Sequence, residues 1–87
     1  KITQPKQVSY VVPNSSVLIT AVQTSQEQVT KVDFYEGKTL LCSIAQAPYQ
    51  CSWLVPNGTG KVYILSTKTY NLDNRNSRET VFVRTDR

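Results

Sequence analysis

The sequence predicts an all-β domain, an antiparallel β-sandwich of about seven short strands. Val, Ile, Thr and Tyr are abundant, and no window holds a helical apolar stripe longer than about two turns. Turn signals also recur about every eight to twelve residues, the spacing of a sandwich. A small closed barrel has the same strand spacing and is the competing fold.

Each element has a local reason. Lys1 to Gln7 is a polar lead-in interrupted by Pro5, and Val8 to Val12 makes a short edge strand stopped by Pro13-Asn14-Ser15. In Ser16 to Thr24, Val17, Ile19 and Ala21 alternate with Leu18, Thr20 and Val22, before Ser25-Gln26-Glu27-Gln28 turns the chain. Val29 to Tyr35 puts Val32 and Phe34 on one face and Lys31, Asp33 and Tyr35 on the other, the pattern of a strand wet on one side. Glu36-Gly37 is a tight turn, Lys38 to Ser43 a short strand and Ala45 to Pro48 a loop. Tyr49 to Leu54 follows, with Tyr49, Cys51 and Trp53 sharing a face. Pro56-Asn57-Gly58-Thr59-Gly60 is the strongest turn signal of the chain. Lys61 to Tyr70 is the longest strand, with Val62 and Ile64 assigned to the core, and Asn71 to Asn76 loops into the last strand, Arg78 to Arg84.

Eighty-seven residues make one small domain, 1–87, which buries only about 60–65% of its unfolded surface and leaves little material for a deep cavity. With no histidine there is no imidazole base for a serine or cysteine nucleophile and no usual zinc site. The composition therefore points to a non-catalytic module without cofactor or metal. The net charge of +4 comes from basic residues spread along the chain with no recognition motif, which argues against nucleic acid as partner. Apolar runs such as Val17-Leu18-Ile19 and Val62-Tyr63-Ile64-Leu65 are far shorter than the roughly 20 residues of a transmembrane helix. The chain has no initiating methionine and no signal segment, and reads as excised from a larger protein.

Cys42 and Cys51 lie on two consecutive predicted strands that fold back as a hairpin. Facing positions there have Cα atoms about 4.5–5.5 Å apart, within the range a disulfide closes. A loop of about ten residues closed in this way contributes roughly 2–3 kcal/mol in the chain-entropy model. The alternative, a redox-active pair, ordinarily has two intervening residues at a helix start, whereas eight in a hairpin suit a structural staple. Such bridges persist in oxidising compartments, so the domain is expected to be secreted.

Other polar groups carry weaker signals. Asp33 and Glu36 are the nearest candidates for a glycosidase carboxylate pair, against the plainer reading of solvated charge. Asn71, Asp73 and Asn74 resemble an oxygen-rich calcium loop but lack the further carboxylates and glycine of an EF-hand. Asn14-Ser15-Ser16 and Asn57-Gly58-Thr59 match the N-glycosylation sequon.

The aromatic residues say more. Trp53 and Tyr49, on the Cys51 face, read as core before sugar-stacking platform. If Val62, Ile64, Val81 and Val83 face inward, alternation places Tyr63, Leu65 and Phe82 on the outside of two paired strands, with Tyr35 beside them. That predicts an exposed apolar patch, which marks an interface with a neighbouring domain or a ligand, or else is a scatter of ordinary exposed residues.

The stretch Val32-Asp33-Phe34-Tyr35-Glu36-Gly37-Lys38-Thr39-Leu40-Leu41, then Ala47-Pro48-Tyr49, Ser52-Trp53, and Pro56 with Gly58 to Tyr63, resembles bacterial immunoglobulin-like domains of secreted multidomain glycoside hydrolases and surface proteins. Those carry a V-x-F-Y-x-G-x-x-L-L core followed by A-P-Y and a tryptophan. The resemblance covers nearly the whole chain and implies an immunoglobulin-like sandwich without catalysis. Two departures stand out. Members of that family usually have a small residue at position 42 and an apolar or aromatic one at 51, and the loop after Tyr70 is here basic and asparagine-rich rather than acidic. No cysteine occupies the second or sixth strand, so the inter-sheet bridge of antibody domains is absent.

The expectation is an accessory module of a secreted bacterial protein, plausibly a glycoside hydrolase such as a chitinase, acting as spacer or docking surface for a neighbouring domain. The expected contact surface comprises Tyr35, Tyr63, Leu65 and Phe82 with Lys61, Arg78 and Arg84. The alternative is a carbohydrate- or cell-surface-binding module in which those aromatics stack on sugars and the basic residues meet acidic groups of glycans.

Overall fold

The computed structural model describes residues 2–5, 9–22, 28–72 and 75–85. Its strands are β1 (Ile2–Gln4), β2 (Ser9–Val11), β3 (Ser16–Ala21), β4 (Val29–Glu36), β5 (Thr39–Ile44), β6 (Tyr49–Leu54), β7 (Val62–Asn71) and β8 (Asn76–Thr85). They form two sheets, β1-β3-β6 and β2-β8-β7-β4-β5, so the fold is an all-β, immunoglobulin-like sandwich. All pairings are antiparallel except β2 with β8. The expected lead-in contains a strand of its own, β1, because Ile2 is buried opposite Ala21 and tethers that segment to β3. Val8, Gln23 and Thr24, assigned to strands from sequence, lie outside the described residues.

Where one side of a strand is polar, alternation reads correctly. Ile19 and Ala21 of β3, Val32 and Phe34 of β4, Cys51 and Trp53 of β6, and Val81 and Val83 of β8 are all buried. Register confirms the shared face, since Val17, Ile19 and Ala21 stand opposite Trp53, Cys51 and Tyr49. The core reading of Trp53 and Tyr49 therefore holds: Trp53 is buried and Tyr49 packs against the core.

The phase of β7 is the reverse of the expectation. Leu65 is completely buried and Tyr63 packs against the core, whereas Val62 and Ile64 are exposed. The neighbour decides it. Tyr63 and Leu65 stand opposite the inward Val83 and Val81, while Val62 and Ile64 stand opposite Arg84 and Phe82. Side chains at paired positions share a face, so β8 dictates which half of β7 points in. Inside, Tyr63 meets Trp53 edge to face, ring centroids 5.3 Å apart, a contact Val or Ile could not supply.

The disulfide also has a different geometry from the hairpin staple. Cys42 and Cys51 are bridged with Cα atoms 6.0 Å apart, but β5 and β6 belong to different sheets, so the bond crosses the sandwich. Cys42 faces inward opposite Phe34 and Cys51 inward opposite Ile19. The bridge thus ties the edge strand of the larger sheet to the smaller sheet through the core.

Turns and strand ends are secured by the backbone. Gly37 has φ 58°, a left-handed conformation unfavourable with a β-carbon, and its N–H donates to the carbonyl of Ile64 at 2.8 Å. Just before β7, the Lys61 N–H donates to Thr85 Oγ1 and the Thr85 N–H donates to the Lys61 carbonyl, each at 2.9 Å. The first bond satisfies the buried hydroxyl of Thr85 and the second its backbone N–H.

Candidate interaction surface

The five-stranded sheet turns one face to the core and the other outward. Apart from register shifts at Phe34/Tyr35 against β5 and at Val29/Lys31 against β7, the pairing is continuous, and the outward side chains fall into rows running across the strands. From the C-terminal end of β8, the first row holds Tyr10, Arg84 and Val62, and the second Phe82 and Ile64. The third holds Thr80, Ser66, Tyr35 and Leu40, and the fourth Arg78, Lys68, Asp33 and Ser43. The fifth holds Asn76, Tyr70 and Lys31. The face is therefore graded, apolar at one end and basic and aromatic at the other.

At the apolar end Val62 is 63% exposed, Phe82 46% and Ile64 44%. Val62, Phe82, Val83 and Arg84 line a shallow depression of about 140 Å³. The Arg84 guanidinium lies 5.5 Å from the ring centre of Tyr10, so it covers an aromatic face while its charge remains at the rim.

At the basic end the side chains are organised around two tyrosines. Lys31 Nζ is 4.7 Å and Lys68 Nζ 5.3 Å from the centre of the Tyr70 ring. Arg78 reaches to 5.6 Å from the Tyr35 ring. Tyr35 and Arg78 come from strands on either side of β7, which presents the small Ser66 between them, and Ser66 is buried although it faces outward. Asp33, also outward, is buried as well. The Ser43 hydroxyl donates to Asp33 Oδ1 at 2.6 Å, and Lys31 Nζ lies 3.6 Å from Oδ2. Its charge is thus held by two neighbours in the face.

Of the surface residues expected from sequence, Tyr35, Phe82, Arg78 and Arg84 do share one face. Tyr63 and Leu65 do not belong to it: they point into the core, for the register reason given above. Lys61 sits at the mouth of β7, and its chain passes over the Gly58 turn, with Cε 3.5 Å from where a β-carbon on Gly58 would lie. Sequence reasoning missed Val62, Ile64, Lys31, Lys68 and Tyr70. The cue for the last three was the two-residue spacing of Lys31 with Asp33 and of Lys68 with Tyr70; for the first two it was the outward Arg84 opposite Val62.

The remaining candidates separate. Asp33 stands opposite the outward Lys68 and Glu36 opposite the inward Leu65, so the two carboxylates leave opposite faces of β4 and cannot flank one bond. Asn71 Oδ1 accepts the Arg75 N–H at 3.1 Å, closing its own turn, while Asp73 and Asn74 lie outside the described residues. The two sequon asparagines meet, Asn14 Nδ2 donating to Asn57 Oδ1 at 3.1 Å.

The sandwich, its strand order and its inward Trp53 can now be set beside known proteins. The family model described as "Bacterial Ig domain" matches residues 1–78. The chain belongs to the bacterial Ig domain family. Among solved structures, the fibronectin(III)-like modules of CbhA from Clostridium thermocellum are similar to it, at 25% identity and a TM-score of 0.81, covering 99% of this chain and 94% of that one. No curated protein matches the chain. The expected family is therefore shown, and with it the immunoglobulin-like sandwich.

Proposed function

We propose that this Ig domain, residues 1–87, is a non-catalytic accessory module of a secreted bacterial multidomain protein, with a glycoside hydrolase, such as a chitinase, as the parent. It holds a neighbouring domain of the same polypeptide against the outer face of its larger sheet. The observation that carries this reading is the apolar end of that face, Val62, Ile64 and Phe82, beside the end of β8. Phe82 lies three residues before Thr85, so a domain continuing from β8 emerges next to the patch. Apolar surface at such a junction is what a docking contact requires.

Two further features support a spacer. Ile2 donates its N–H to Glu79 at 3.2 Å, so β1 starts alongside the early part of β8, while Thr85 is six residues further along, about 20 Å at strand rise. The chain thus enters at one level of the sandwich and leaves at another. The cross-sheet disulfide fits an oxidising, extracellular setting and stiffens the body between those points. Similarity to the CbhA modules supports the same reading.

The test is Phe82→Asp in the parent polypeptide, compared with the same change in the isolated module. Unfolding of the isolated module should shift by no more than about 0.5 kcal/mol, as for an exposed site. The linked domains should lose their fixed arrangement, read as a larger and more variable end-to-end distance in solution scattering. An unchanged distance distribution would sink the docking role.

A further inference from the structure

The opposite end of the same face is built for a different partner. Lys68 and Arg78 stand directly opposite each other on β7 and β8, both pointing outward. Like charges at facing positions of an antiparallel pair destabilise it. Among the described residues the carboxylate in that row is Asp33, which faces Lys68, accepts from Ser43 and lies 3.6 Å from Lys31, so the strip sets three cations against one acid. Lys31 adds a third cation one row away, 45% exposed. Tyr70 and Tyr35 hold these cations in place through their ring faces, which limits the freedom lost when a ligand binds.

We infer that Lys31, Lys68 and Arg78, set over Tyr70 and Tyr35, form a binding strip for an acidic polysaccharide, one bearing carboxylates along its chain. Charge complementarity calls for a polyanion. The cross-sheet disulfide fits an extracellular setting, and the sequence carries no nucleic-acid recognition motif. The three cations project from the flat of the sheet, whereas strand addition is read by backbone groups at an edge, so the strip itself is not a strand-addition site. Sugar carboxylates meet the cations that the two tyrosine rings position. This strip is independent of the docking contact at the apolar end, and either can fail without the other.

The test is titration of the 87-residue chain with polygalacturonate at low ionic strength, followed by calorimetry and amide chemical shifts. Binding is expected, with shifts at Lys31, Lys68, Tyr70 and Arg78, and it should weaken as salt is raised. Lys68→Gln with Arg78→Gln should reduce affinity about tenfold or more, each factor of ten being about 1.4 kcal/mol. The thermal midpoint of that variant should not fall, since a repulsive pair has been removed. Phe82→Asp should bind like the native chain. Absence of saturable binding overturns the inference, as does unchanged affinity in the double variant. Equal affinity for poly-glutamate or for anionic vesicles shows that charge alone is read and overturns the assignment to a glycan.

Discussion

The two ends of the outer face share the same strands and the same pleat, yet they present opposite surfaces. At one end Val62, Ile64 and Phe82 leave apolar area exposed; at the other Lys31, Lys68 and Arg78 gather charge over tyrosines. The backbone does not distinguish them. What differs is how each would hold a partner: the first by removing apolar area from water, which salt hardly weakens, the second by charge, which salt screens. One sheet of a small module can thus carry two contacts of different physical kind. Its smaller sheet is a useful contrast, since the outward side chains of β3 and β6 mix Leu18 and Leu54 with Thr20, Gln50 and Ser52 and include no charge.

The contrast depends first on the phase of β7, and that is where the largest effects lie. Leu65→Ala should cost about 2–5 kcal/mol in chemical denaturation, as a buried leucine does. Ile64→Ala, one residue away on the outer face, should cost less than about 1 kcal/mol. Equal losses would mean that the apolar end is not a surface at all.

Next comes the bridge beneath the face. Replacing Cys42 and Cys51 together by serine should lower stability by roughly 2–4 kcal/mol while leaving amide shifts of the outer rows near their native values. Large shifts at Lys68 or Phe82 would show that the bridge shapes the face instead of only securing the sheets.

Smaller effects separate the two ends directly. Raising salt should leave interdomain docking at the apolar end unchanged while weakening the basic end's hold on a polyanion, and a parallel response of both would erase the distinction. The smallest effect is Lys68→Gln alone. Relief of the facing Arg78 should offset the lost contacts with Tyr70 and Asp33 and leave stability, measured by denaturant midpoint, within about 0.5 kcal/mol of native, and a larger loss would show that Lys68 secures the fold.

Much of this fold is legible from alternation. Lys31, Asp33 and Tyr35 against Val32 and Phe34, or Arg84 against Val83, show which side enters the core, because only one side of each strand is apolar. Val62-Tyr63-Ile64-Leu65 offers no such contrast: both faces are apolar, and period alone cannot choose between them. Two of the seven expected surface residues were misplaced for that reason. Tyr63 and Leu65 exchanged places with Val62 and Ile64, while Phe82, Arg78 and Arg84, on a strand with clear polarity, stayed outward.

The cysteines divide in the same way. Their number and the compartment they imply are properties of the chain, and so is the all-β class, because local propensity and turn chemistry act over a few residues. Whether the short Ala45–Pro48 connection closes a hairpin or carries the chain across to another sheet is not local. It was decided by β3, whose Val17, Ile19 and Ala21 pair with Trp53, Cys51 and Tyr49 from more than 25 residues away. Likewise the inward half of β7 was decided by Val81 and Val83 on β8. The sequence alone therefore determined the strands β2 to β8, and the tertiary structure alone made β1 a strand and decided which sheet β6 joined and which way β7 faced. These choices depend on hydrogen-bonded partners distant along the chain, and with them went the crossing of the disulfide and the two-ended surface.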